Sequence, residues 1–296
     1  MLQQTRAQTV IPFYEKFLER FPTPDALAEA TETELLRSWS GLGYYRRARN
    51  LQSAARQIVK SGGFPRDYDA IRELPGVGAY TAAAVGSIAF GIGRAVLDGN
   101  VMRVIARLTG DASDIGAAAT RSRFETVAEE LLDRRDPGRF NQAMMELGAT
   151  ICLPRNPLCL LCPVSGDCRA REQGQQSQLP VKLRRIEPVR VQTRLLYIER
   201  AGKILLWKRE DDSARLNGFW ELPLAEDLPK AKQQEALGSF RHSITNHNYT
   251  FTVAKATLAR AASRFEWVER TDLKRLPLST TTRKAFALLG QTIKQI

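Results

Sequence analysis

Through residues 1–168 the apolar positions recur at helical spacing and predict a domain built almost wholly of α-helices. In "TETELLRSW", Thr31 stands three positions before Glu34, with Leu35, Leu36 and Trp39 following; this is the spacing of a capping box that opens an amphipathic helix. "RFETVAEELLD" places Phe124, Val127, Ala128, Leu131 and Leu132 on one stripe, and Phe140, Ala143, Met144, Leu147 and Ile151 form another. The opening stretch "MLQQTRAQTV" already carries an amphipathic pattern at residue 2 and reads as the middle of a helix. Residues 169–188 are polar, rich in Gln and Arg, contain two prolines and lose the period, so a surface linker is expected there.

After the linker the period shifts towards two. "VQTRLLYIERAGKILLWKR" predicts strand, glycine-containing turn and strand; "NYTFTVAKATLA" alternates similarly, and "STTTRKAFALLG" ends the chain's pattern as a capped helix. The expected organisation is an all-α domain at 1–168, a linker at 169–188 and an α+β domain at 189–296.

Composition narrows the function classes. The chain has 296 residues, 43% of them hydrophobic, and no apolar run near the roughly 20 residues that span a bilayer. No apolar run follows a basic start, so a soluble, cytoplasmic protein without a membrane partner is expected. Lys and Arg total 44 against 32 acids, a net charge of +12. That balance suits a polyanionic partner, because each phosphate neutralised releases counterions, and equally suits a merely basic soluble protein.

The four cysteines, Cys152, Cys159, Cys162 and Cys168, lie within "CLPRNPLCLLCPVSGDC", separated by six, two and five residues. Thiols this close suit one metal centre; a 4Fe–4S cluster fits the compact loop, zinc is the rival, and ordinary buried thiols are the plain alternative. In "ELPGVGAYTAAAVGSIAF", Pro75 ends one short helix, while Gly76 and Gly78 permit a tight turn before the next. The free N–H groups of that second helix make a phosphate site, or the turn is a plain connection. Asp98, in "AVLDGNVMRVIARL", precedes a helix and is a favoured N-cap, with or without a further role.

Together these features resemble the helix–hairpin–helix DNA glycosylases that carry an iron–sulfur cluster. "MLQQT", "GLGYYRRARNL", "LDGNV" and "FNQAMMELGATIC" are similar to motifs of the MutY-type adenine glycosylases, and "GFWELP" and "WVERTDLKRLPLS" to their Nudix-like C-terminal domain. The resemblance implies a multidomain chain: an all-α helix–hairpin–helix glycosylase domain with a 4Fe–4S loop at 152–168, then an α+β Nudix-like domain that recognises 8-oxoguanine. It implies base excision repair by a monomeric, monofunctional enzyme. The partner is double-stranded DNA holding 8-oxoguanine·adenine or guanine·adenine mispairs, from which adenine is flipped and released.

By the same resemblance, Asp98 stabilises the oxocarbenium-like charge on the sugar, Asn100 positions that centre, and Tyr80 and Gln142 border the adenine pocket. Gln3, Gln4 and Thr5 stand against 8-oxoguanine, and Leu42 and Tyr44 wedge into the duplex. From the residues alone, Leu42 and Tyr44 are equally core candidates, and Gln4 a solvated helix residue. Tyr80 occupies the place where bifunctional relatives carry a nucleophilic lysine; a phenol forms no Schiff base, so no strong lyase step is expected. Residues 222–240 hold only Glu226, Asp227 and Glu235 as acids, too few for the magnesium-binding glutamates of an active Nudix hydrolase. Thr245, Asn246 and His247 fall roughly where the family carries a Phe-Ser-His loop that checks 8-oxoguanine; His247 and His242, the chain's two histidines, are otherwise surface or strand residues. In the family, Glu-Val precedes the "MLQQT" motif and that Glu is the general acid, which would stand two residues before Met1. The expectation is therefore a glycosylase whose activity in this 296-residue form depends on that acid, with a non-catalytic lesion-binding protein as the alternative.

Overall fold

A computed structural model describes residues 1–3, 5, 7–183, 187–209, 216–261 and 263–290. The packing divides the chain into two units, one formed by Met1–Lys60 with Ile186–Ile296 and the other by Ser61–Arg185.

The first unit begins with α1 (Ala7–Arg20), α2 (Pro24–Glu29), α3 (Glu32–Trp39) and α4 (Arg46–Lys60). The capping box at the head of α3 is complete: the Glu34 N–H donates to Thr31 Oγ1 at 3.3 Å, and the Thr31 N–H donates to Glu34 Oε2 at 3.1 Å. Leu35, Leu36 and Trp39 then fall on one buried face, packed with Phe17, Phe21, Tyr45 and Ala48.

The second unit contains α5 (Tyr68–Arg72), α6 (Ala79–Phe90), α7 (Gly99–Thr109), α8 (Ala118–Leu131), α9 (Pro137–Glu146) and α10 (Arg169–Glu172). Its core gathers Val101, Val104, Ile105, Phe124, Ala128 and Met144. Leu131, expected on the buried stripe of α8, is instead 45% exposed; the helix ends there, and Leu132, in extended conformation at the C-cap, takes the buried place. After Glu146 the helical path widens into a π-turn, Leu147–Ile151, rather than continuing the α-helical stripe. Residues 169–183, expected to cross a surface, are tied down: Ala170 and Leu179 are buried, Arg107 Nε donates to the Leu179 carbonyl at 2.9 Å, and the Ile115 N–H donates to the Val181 carbonyl at 3.0 Å.

The first unit resumes with β1 (Val189–Tyr197), β2 (Glu199–Arg200), β3 (Lys203–Lys208), β4 (Trp220–Glu221), β5 (Lys232–Ile244), β6 (His247–Thr257), β7 (Phe265–Glu269) and α11 (Thr280–Leu288). One sheet has the order β1-β6-β5, with β1 parallel and β5 antiparallel to β6; the other runs β2-β3-β4, with β7 also paired to β3. The expected strand–turn–strand is β1 to β3, and its tight turn is Ala201-Gly202, both at positive φ, as a two-residue hairpin requires. Ser279 caps α11 by accepting from the Thr282 N–H.

The helices α1–α4 pack onto this α+β portion within the same unit. Phe219 joins the core of α1–α4, its ring 4.0 Å from that of Tyr45. Ser40 Oγ donates to the Leu278 carbonyl at 3.2 Å, and Arg283 Nη1 donates to the Ser40 carbonyl at 3.1 Å.

Candidate active site

Chemistry-bearing residues of the second unit converge on the start of α7. Asp98 caps that helix: its Oδ1 accepts from the N–H groups of Asn100 and Val101, both at 2.8 Å. Its Oδ2 accepts from Asn100 Nδ2 at 3.3 Å. Capping therefore occupies one carboxylate oxygen and orients the other. Asn100 is held in turn, because its Oδ1 accepts from Arg103 Nη2 at 2.9 Å. Arg103 is buried: the same Nη2 donates to the Gly148 carbonyl at 2.6 Å, Nε to the Cys152 carbonyl at 2.7 Å and Nη1 to the Gly99 carbonyl at 3.4 Å. A planar fork with fixed donors suits this task, as a lysine would not.

The hairpin before α6 has the expected turn. Gly76 sits at φ +77°, in the left-handed region that favours glycine, and the Val77 N–H closes the turn on the Leu74 carbonyl at 3.0 Å. Gly78, at φ −92°, has a conformation open to any residue; what distinguishes it is open space, since a Cβ there would meet nothing within 4 Å. As N-cap it offers no side chain to the first-turn N–H groups of α6, which suits close approach of an anion.

Tyr80, in the first turn of α6, is half-buried and donates from its hydroxyl to Met145 Sδ at 3.3 Å, joining α6 to the end of α9. Burial, and then the negative charge of Asp98, push its phenol above the usual range, so it stays protonated. Tyr80 also lines a cleft of about 590 Å³ with Leu97, Tyr68, Arg72 and Arg94; Asp98 and Gln142 are not part of its lining. Gln142 is exposed on α9, its Nε2 donating to the Gly138 carbonyl at 3.2 Å.

Its neighbour Asn141, absent from the sequence expectations, is buried and does more to shape the site. Its Oδ1 accepts from the Val96 N–H at 3.1 Å, and its Nδ2 donates to Ser87 Oγ at 2.9 Å and the Arg94 carbonyl at 2.8 Å. These bonds fix the extended segment that delivers Leu97 and Asp98. Arg103 was likewise missed; the available signal was a pair of arginines four residues apart, Arg103 and Arg107, on the apolar face of "VMRVIARL".

The four cysteines, all free and half-buried, line one cavity of about 30 Å³ together with Arg107 and Gln176. Among the described residues no group of three or more His, Cys, Asp or Glu side chains forms a ready metal-binding set. Burial, then the neighbouring Cys152 and Cys168, raise the Cys159 thiol above its usual range. Arg107 Nη1 donates to Cys152 Sγ at 3.2 Å, while its Nη2 is buried without a partner on the same cavity. A group carrying hydrogen-bond acceptors beside the cysteines would satisfy that Nη2.

In the first unit, Gln3 is exposed and Thr5 half-buried, whereas Gln4 lies outside the described residues. Leu42 packs in the core of α1–α4, and Tyr44 is 52% exposed at φ +48°. Thr245 and Asn246 form the two-residue turn between β5 and β6, with Thr245 exposed at φ +53°. His247 stacks on Tyr249, ring centroids 6.0 Å apart, and its Nδ1 is buried without a partner.

A family model described as HhH-GPD superfamily base excision DNA repair protein matches residues 1–130. The chain is 31% identical to the adenine DNA glycosylase of Mus musculus, over 97% of this chain and 70% of that one. The chain belongs to the adenine DNA glycosylase family. The adenine DNA glycosylase of Homo sapiens is 46% identical over 60% of this chain, an alignment that spans only 33% of the human protein. Among solved structures, that of a thermostable thymine-DNA glycosylase is similar with a TM-score of 0.51 at 32% identity, covering 58% of this chain and 80% of that one.

For this adenine DNA glycosylase family member, the glycine of "FNQAMMELG" has a stated purpose. A Cβ on Gly148 would lie 2.7 Å from Asn100 Cβ and 3.0 Å from the Asn100 carbonyl oxygen. Gly148→Ala is therefore expected to cost about 1–3 kcal/mol through overpacking and to displace the Asp98–Asn100 pair. Thermal unfolding together with base-release kinetics checks it, both falling; an unchanged melting temperature contradicts the close packing.

Proposed function

We propose that this chain is a monofunctional adenine DNA glycosylase acting on 8-oxoguanine·adenine and guanine·adenine mispairs in duplex DNA. The observation that carries the reading is Asp98, whose carboxylate is fixed at the head of α7 by the Asn100 and Val101 N–H groups and by Asn100 Nδ2. The flipped adenine enters against Tyr80 and Gln142. The bond from sugar C1′ to the base nitrogen breaks, its electron pair leaves with adenine, and positive charge develops on the sugar ring. Asp98, oriented by Asn100, stabilises that charge, and water then adds at C1′. Over the whole hydrolysis adenine takes up one proton and the water added at C1′ gives one up.

The hairpin N–H groups after Gly76 and Gly78 hold a phosphate of the flipped strand. Gln3, Thr5 and the exposed Tyr44 meet the lesion strand, with Leu42 supporting them from the core, and the Thr245-Asn246-His247 turn of a Nudix-like domain reads 8-oxoguanine. The exposed position of Thr245 at the tip of the β5–β6 turn supports that role. Cys152, Cys159, Cys162 and Cys168 hold a 4Fe–4S cluster. With all irons ligated by cysteine, such a cluster supplies structure or electron transfer and not an open Lewis acid.

Single-turnover release of free adenine, measured with the 296-residue chain and with the same chain preceded by Glu-Val, tests the proposal. Adenine released from the mispairs supports it; another base released opposite guanine overturns the specificity. Borohydride added during turnover is expected to trap no covalent DNA adduct in good yield, because Tyr80 has no amine to offer the sugar.

A further inference from the structure

We infer that Arg47 is a positioning residue that joins Met1, Gln3 and Thr5 to the 42–44 loop in one recognition surface for the lesion-bearing strand. The inference rests on the proposed role of those two segments. Arg47 stands in the first turn of α4 and reaches across both. Its Nη1 donates to the Met1 carbonyl at 2.8 Å and also to the Gln3 carbonyl. Its Nη2 donates to Thr5 Oγ1 at 3.1 Å, to the Gly43 carbonyl at 3.2 Å and to the Leu42 carbonyl at 3.4 Å. The guanidinium also stacks, with Cζ 5.5 Å from the ring centroid of Trp39 and 5.5 Å from that of Tyr44.

The segments it joins have little other means of holding a shape. Residues 1–3 form no regular element, and Gly43 and Tyr44 both sit at positive φ, a costly conformation for a tyrosine. Bonds to the Leu42 and Gly43 carbonyls support that strained turn while the same fork grips Thr5. The guanidinium is partly desolvated, and burial lowers its affinity for the proton; its Nε is buried without a partner. A lysine would keep the charge but not the planar fork, so it could not serve both segments.

The test is equilibrium binding, by fluorescence anisotropy, to three otherwise identical duplexes carrying 8-oxoguanine·adenine, guanine·adenine or thymine·adenine. Arg47→Lys is expected to lower the preference for 8-oxoguanine·adenine over guanine·adenine about ten-fold, with affinity for the thymine·adenine duplex changed less than about three-fold. An unchanged preference, or an equal loss on all three duplexes, overturns the inference. No preference in the parent chain overturns the underlying reading instead. Native-state hydrogen exchange of the parent chain along a denaturant series needs no variant. The Thr5 amide, bonded to the Leu2 carbonyl at 3.2 Å, and the Leu42 amide, bonded to the Trp39 carbonyl at 3.1 Å, are expected to open together, and separate openings overturn the inference.

Discussion

Asp98→Asn is expected to slow single-turnover adenine release by about 10²- to 10³-fold, the usual loss when a group that stabilises developing charge is removed. The chain should nevertheless melt near the parent temperature. Asn is as good an N-cap as Asp, so its side-chain oxygen can still accept from the head of α7, where Asp98 now accepts from the Asn100 and Val101 N–H groups. The negative charge alone is lost. Asp98→Ala is expected to lose both the rate and about 1 kcal/mol of stability, because it also uncaps the helix. The pair of variants separates the two roles that one aspartate combines. If Asp98→Asn released adenine at the parent rate, capping would be the whole of its function. Binding to a mispaired duplex should change far less than the rate in either variant.

The second large effect is expected at the cysteines. Purified chain should hold about four irons and four sulfides if the centre is a 4Fe–4S cluster, or about one zinc if it is not. Cys162→Ser removes a sulfur from the cavity that Arg107 shares, and is expected to lose most of the metal and to lower the melting temperature of the second unit. The coupling is physical. Arg107 is buried among Cys152 Sγ, the Leu153 carbonyl and the Leu179 carbonyl, so a collapsed loop leaves a buried charge with broken bonds. Metal analysis and thermal unfolding of the same preparations check both halves. A variant that keeps full metal content and stability contradicts the four-sulfur site.

How much of this was legible in the sequence depends on how local each signal is. The capping box of Thr31 and Glu34, the Gly76 turn, the Asp98 cap and the Ala201-Gly202 hairpin each depend on neighbours within a few residues, and each is present as spaced. The core side of "ETELLRSW" follows from period alone. The positions that organise the site are different in kind. Asn141 looks like one more polar residue beside Gln142, and only the folded path of residues 94–96 shows why it is buried. Arg103 reads as a charged helix residue until the carbonyls of Gly148 and Cys152 meet it. The packing of α3 and α4 against Phe219, Leu278 and Arg283 joins residues more than 160 positions apart, and no local pattern encodes it. The tethered course of residues 169–183 was hidden for the same reason, since its carbonyls are fixed by Arg107 and Ile115 from elsewhere in the unit.

The most direct measurement of the central claim is adenine release, in single turnover, from duplexes that differ only in the base opposite adenine. The chain carrying Glu-Val ahead of Met1 is used beside the 296-residue form. The account predicts free adenine from the 8-oxoguanine·adenine duplex, a slower release from guanine·adenine and none above background from thymine·adenine. Tight binding to the 8-oxoguanine·adenine duplex with no adenine released by either form would contradict it and leave a lesion-binding protein in its place.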